Sequence, residues 1–222
     1  MEKEKNDVFA YGICFAKLFV FFLIGCIFGT YYEEILHFIT NREWSNRQAM
    51  MIGPFNPIYG IPAVIYILLL AKGNERRSIF KTYIYSVIIG GVAEYIVGFA
   101  IETLFKVRFW DYTGYFMNIG GKTTIPFMLF WGILGVILMK VIYPFVSQTI
   151  EKVPYKIAKP VYMVLLVFMI FNSVLTYSAF TRMASRNVGK EANTFIGRFY
   201  DKVFTNEYMS TKFPAMQIGL DI

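Results

Sequence analysis

Two glutamates in one apolar run, Glu94 and Glu102, are the first residues from which chemistry is expected. The run, YIYSVIIGGVAEYIVGFAIETLF, covers residues 83–105. A carboxylate near the middle of such a run costs about 3 kcal/mol in hydrocarbon, so Glu94 must face protein or water. Glu102 is turned by about 80° and lies about 12 Å farther along the helix. Gly98 between them leaves a groove where a helix or ligand can approach. The functional reading is a polar site in the outer half of a membrane. The structural reading is a hydrogen bond from Glu94 to a neighbouring helix.

Other groups narrow the chemistry. Glu34-Ile-Leu-His37 has the Glu-x-x-His spacing of di-metal carboxylate helices, but those need a second copy. His37 is the only histidine, so neither a metal site nor a Ser-His-Asp or Cys-His nucleophile is expected. Cys14 and Cys26 stand about 18 Å apart on one helix and cannot form a disulfide with each other. The letters GGKTT at 120–124 suggest a phosphate loop, which requires a glycine at 116; Phe116 stands there. Gly120 and Gly121 instead suit a tight turn. Arg108 and Asp111 are spaced to pair, with Trp110 as cover. Lys122 either snorkels at the interface or meets an acidic ligand or lipid head group.

The elements that hold these residues are membrane helices. Apolar residues make up 56% of the 222 and charged ones 17%, against about 25% in soluble domains. The fold class is all-α: a polytopic membrane bundle of about five transmembrane helices plus a C-terminal amphipathic helix. The spans run at about 8–30 (with a possible continuation to 40), 55–71, 83–105, 125–146 and 161–180. Residues 1–181 form the transmembrane domain, and 182–222 a tail packed on or near the bundle. In that tail Ala192, Phe195, Ile196, Phe199 and Val203 recur at helical spacing. GPFNPIYGIP at 53–62 carries three prolines, so no regular helix is expected to span it. It is either a broken helix beside a cavity or a loop ending at a helix start.

Lys and Arg in the short loops number nine on the N-terminal side and five on the other. The bias sets the N-terminus in the cytoplasm and the tail outside. The net charge of +7 fits contact with the lipid bilayer, and no stripe of basic and aromatic residues suits nucleic acid.

Four motifs in order carry a resemblance. They are Arg47 with Gly53-Pro54 and Pro57-Ile58-Tyr59-Gly60; Glu94-Tyr95, Gly98, Glu102 and Phe105; Trp110-Asp111-Tyr112, Asn118 and Gly121; and Trp131-Gly132 with Leu134-Gly135. The chain resembles the putative ABC-transporter type IV membrane proteins, the CmpB-like family. Glu34 fits an acidic residue at the end of that family's first span. Arg182, Arg186, Gly189, Asn193, Asp201 and FPAM at 213–216 extend the resemblance into the tail. The chain departs from the family at Gln48-Ala49, at Ala215, and at Lys122, where arginine is usual; lysine keeps the charge and loses bidentate geometry.

The resemblance implies a permease or accessory subunit, with any ATPase on a separate chain. A bundle this small implies a homo-oligomer. Ligand-binding candidates are Glu34, Glu94, Glu102, Arg108, Trp110, Asp111, Asn118 and Lys122. Gly53, Pro54, Pro57, Tyr59, Gly60, Gly98, Gly121, Trp131 and Gly132 are expected to be structural. No cofactor is expected. The alternative is a membrane-embedded enzyme or binder acting on a lipid or cell-envelope precursor, with the acidic and basic residues doing general acid–base work on a head group.

Overall fold

The computed structural model describes residues 8–218. Lys3 and Lys5, which the orientation expectation counted, lie outside them. Among the described residues are seven helices: α1 Phe15–Asn41, α2 Pro57–Leu70, α3 Ile79–Phe105, α4 Ile125–Ile150, α5 Tyr155–Asn187, α6 Phe195–Val203 and α7 Asn206–Lys212. A π turn at Leu138–Ile142 interrupts α4. Two short antiparallel pairs join loops: β1 (Val107–Arg108) with β4 (Gln217–Ile218), and β2 (Asn118–Ile119) with β3 (Thr123–Thr124).

Four helices, α1, α3, α4 and α5, are long and apolar enough to cross a membrane. The fourteen residues of α2 rise only about 21 Å, short of a bilayer core of about 30 Å. Of the about five transmembrane helices expected, four are of spanning length, and the second is the short α2. The reason is local. Asn56 accepts a hydrogen bond from the Ile58 amide (3.1 Å), and Pro57 takes the first helical position, where no N–H is needed. A helix therefore starts inside GPFNPIYGIP and does not span it, which is the arrangement of a loop ending at a helix start.

The Asn56 amide donates to the Cys26 carbonyl (3.1 Å), so α2 begins beside the middle of α1. The stretch 43–56 before it is non-helical. Its buried backbone is met by α5. Thr176 Oγ1 accepts from Met51 N (3.0 Å), and Asn172 both accepts from Ile52 N (3.0 Å) and donates to Ile52 O (2.7 Å). Irregular backbone inside a bundle persists only when its polar groups are satisfied in this way.

Glycines bring the helices close. Any side chain at Gly29 would meet the Tyr59 ring, and one at Gly60 would meet Cys26 Sγ, so α1 and α2 pack nearly backbone to backbone. Gly90 does the same for α3 against Trp131.

The loops sort to two ends. At one, which we call the mouth, Asn46 Nδ2 donates to Lys212 O (3.2 Å) and β1 pairs with β4. This gathers 42–56, 106–124 and the tail. At the other, buried Lys17 pairs with Glu151 and donates to Ser147 Oγ (2.6 Å), and Phe9 N donates to Val153 O (3.2 Å).

The tail's amphipathic helix forms as α6, with Phe195, Ile196 and Phe199 exposed. The tail packs instead through Phe204, Met209, Phe213 and Met216 against Phe180 and Met183 of α5. α5 itself runs to Asn187, beyond the boundary expected at 181.

Candidate functional site

Glu94 lies fifteen residues into α3 and is 6% exposed. Thr123 Oγ1 donates to its Oε2 (2.6 Å), and the Tyr112 hydroxyl donates to its Oε1 (3.1 Å). The Trp131 side chain is a third hydrogen-bonding group beside it. Burial, then the adjacent Glu94, pushes the Tyr112 phenol up, so Tyr112 stays protonated and remains a donor. Two partners come from the 106–124 segment, Tyr112 from its loop and Thr123 from β3, and the third from α4.

Glu94 forms part of the wall of a cavity of about 340 Å³ at the mouth. The other walls are Tyr32 and Glu33 of α1, Arg47 and Asn56 of the non-helical stretch, Tyr59, Trp110 and Tyr112, Phe127, Phe130 and Trp131, with Phe213 and Ala215 from the tail. Glu33 is hydrogen-bonded to Tyr59 and is within electrostatic reach of Arg47 and Glu94. The Arg47 Nε is buried without a hydrogen-bond partner among the described residues. The walls are largely aromatic. Tyr59 and Trp131 lie 5.4 Å apart, Tyr32 and Phe130 5.7 Å, and Tyr112 and Phe127 4.7 Å, centroid to centroid.

The other charged candidates form a second group. Glu102 holds two cations, Arg108 Nε at 2.6 Å on one oxygen and Lys122 Nζ at 2.7 Å on the other. Arg108 also reaches Asp111 (2.5 Å). Hydrogen bonds from Thr113, and then Arg108, hold the Asp111 carboxyl below the usual range. Trp110 Nε1 donates to Lys122 O (2.8 Å) and its ring approaches Gly98. Asn118 Oδ1 accepts from Gly121 N (3.1 Å), closing a turn in which Gly120 and Gly121 both take positive φ. Of the charged ligand-binding candidates, Glu102, Arg108, Asp111 and Lys122 thus form one group, Glu94 stands apart from them at the cavity, and Glu34 belongs to neither. Lys122 meets Glu102 of its own chain where an external acidic group was one expectation, because the turn folds it back onto α3.

Glu34 does not line the cavity; its carboxylate accepts from Arg47 N (3.4 Å). Its neighbour Glu33 does, and went unnamed among the candidates. A signal for it existed. Gly25, Gly29 and Glu33 are spaced by four along α1, and both glycines face the Tyr59–Gly60 stretch. His37 donates from Nδ1 to Glu43 O (2.8 Å) and accepts at Nε2 from Asn41 (2.9 Å), one tautomer serving both. Among the described residues no group of three or more His, Cys, Asp or Glu is placed to hold a metal ion.

Helices of spanning length with an acidic residue facing inward define a multi-pass membrane protein. A family model described as putative ABC-transporter type IV matches residues 20–177, and the chain belongs to that family. The tail residues that extended the resemblance, Arg182 to FPAM, lie beyond the match. No curated protein and no solved structure matches.

Proposed function

We propose that the protein is a ligand-binding, permease-like membrane subunit whose site is the mouth cavity, working with an ATPase on a separate chain. The observation that carries this is the cavity itself. It is of ligand size, and it combines two carboxylates with an arginine Nε that has no partner among the described residues, beside a non-helical stretch leading into a short helix. In this reading residues 46–70 make a fifth crossing, part extended and part helical. The N-terminus is then cytoplasmic and the mouth faces outward. Glu94 is the binding group, while Glu102, Arg108, Asp111, Asn118 and Lys122 shape the rim. Two copies complete a path that one small bundle is too narrow to enclose.

The test is paired. Purification from native membranes should bring down an ATPase subunit, and deletion should produce an uptake or export defect restored by wild type but not by Glu94→Gln. Failure of both arms removes the transport reading. The alternative, an enzyme or binder acting on a lipid or envelope precursor, is supported by the two acidic groups facing the cavity. It requires an altered lipid or envelope profile in the deletion strain, and an unchanged profile removes it.

A further inference from the structure

The charges around the mouth cavity do not balance. Glu102 and Asp111 are matched by Arg108 and Lys122 outside it. Inside, Glu33 and Glu94 face one cation, Arg47. Glu94 receives two hydroxyl hydrogen bonds and has no ion-pair partner among the described residues. One carboxylate is therefore left without a countercharge at membrane depth, where such a group is costly. Arg47 Nε adds a second unmet demand, this time for an acceptor.

Three kinds of occupant meet this to different extents. A proton neutralises Glu94 but leaves about 340 Å³ and the Arg47 donor unused. A metal ion needs more oxygen or nitrogen donors than the described His, Cys, Asp and Glu supply there. An organic cation meets both demands. Its charge faces Glu94 and Glu33, its apolar surface lies against Tyr59, Trp131 and Phe127, and an oxygen on it reaches Arg47. Aromatic faces attract desolvated ammonium groups directly, through the negative face of the ring.

We infer that the cavity takes a small molecule or head group carrying an ammonium and an oxygen acceptor a few bonds apart, the chemistry of an amino alcohol or of an aminoalkyl phosphate lipid. The inference rests on the cavity being the ligand site and adds the ligand's class.

The three tryptophans provide a readout. Trp110 and Trp131 line the cavity, while Trp44 is exposed and stacks on Phe38. In the full-length Trp44→Phe protein, emission therefore reports the cavity. Purified protein is titrated with choline and with ethanolamine in detergent, and reconstituted in nanodiscs of phosphatidylethanolamine or phosphatidylglycerol. Acetate and inorganic phosphate serve as anion probes, and thermal melts confirm that each variant is folded. A saturable change with a free amine, weakened about 30-fold or more by Glu94→Gln, supports the inference and names a soluble ligand. A change confined to phosphatidylethanolamine discs and lost in Glu94→Gln supports it and names a lipid source. A response to acetate or phosphate with none to the amines overturns the ligand class and leaves the cavity as a site. Silence toward every probe overturns both.

Discussion

Thr123 Oγ1 donates to Glu94 Oε2 at 2.6 Å, tying β3, which leads directly into α4, to the middle of α3. Glu94→Gln keeps the size of the side chain, and its amide can donate to one hydroxyl while its carbonyl accepts from the other. The variant should fold normally, with a melting temperature close to wild type. Function in a complementation assay at matched protein level should be lost. Glu94→Ala should also lower stability, by about 1–3 kcal/mol for the partners left bare. Normal complementation by Glu94→Gln would reduce Glu94 to a brace.

Asn172 serves the Ile52 backbone at both its N–H and its C=O. Asn172→Ala leaves both groups unmet and should cost about 3 kcal/mol, measured by thermal unfolding in detergent. Asn172→Asp can still accept but cannot donate, and should fall between. Equal stability of wild type and Asn172→Ala would mean that water serves the segment equally well.

Glu102→Ala leaves Arg108 and Lys122 without their shared carboxylate. Loss of about 2 kcal/mol and faster proteolysis within 107–124 are expected. Glu102→Gln should be milder. Lys122→Arg should retain the contact, since an arginine reaches the same carboxylate.

Asp201 accepts from Arg182 (2.6 Å) and Arg186 (2.6 Å), holding α6 to the end of α5. These two arginines, Arg182 first, keep its carboxyl below the ordinary range. A carboxyl lowered by folding stabilises above its unfolded value and loses that contribution as pH falls through the folded one. A spin label at Ser210 should therefore stay immobile from pH 8 down to about 4 and loosen only below it. In Asp201→Asn it should be mobile throughout. Loosening of wild type at neutral pH would break the assignment.

Impermeant thiol labelling tests the proposed orientation. In a background lacking Cys14 and Cys26, single cysteines at Trp44, Tyr115 and Ser210 should label in whole cells. Those at Glu75 and Lys152 should need permeabilised cells. All five positions lie outside the spanning helices, and the first three are at the mouth. The reverse pattern inverts the protein, and a mixed one rejects the broken crossing at 46–70.

The long helices were legible because apolar runs of spanning length have few other uses in a chain. Glu94 was legible for the same reason, as a carboxylate no hydrocarbon would tolerate. The partners of Glu102 were not. Spacing suggested Arg108 with Asp111, and that contact forms, but Lys122 arrives only through a turn whose direction is set by Gly120 and Gly121. Choosing Glu33 over Glu34 required the rotational phase of α1, which adjacent carboxylates do not reveal by themselves. The depth at which α2 starts depends on the Cys26 carbonyl and on α5, both remote in sequence from Pro57.

That remoteness has a bearing on how the protein is made. The partners of Met51 and Ile52 are supplied by Thr176 and Asn172, 125 and 120 residues later. A chain emerging from the ribosome therefore holds an open, unpaired backbone through the synthesis of α2, α3 and α4. The short α2 has too few residues to enter a bilayer confidently alone, and its glycine contacts with α1 make a hairpin of the two its natural unit of insertion. Completion waits for α5, the last of the helices of spanning length. Nascent chains stopped before residue 172 should expose the 46–56 stretch to chaperone or protease, and the quality of the mouth is decided last.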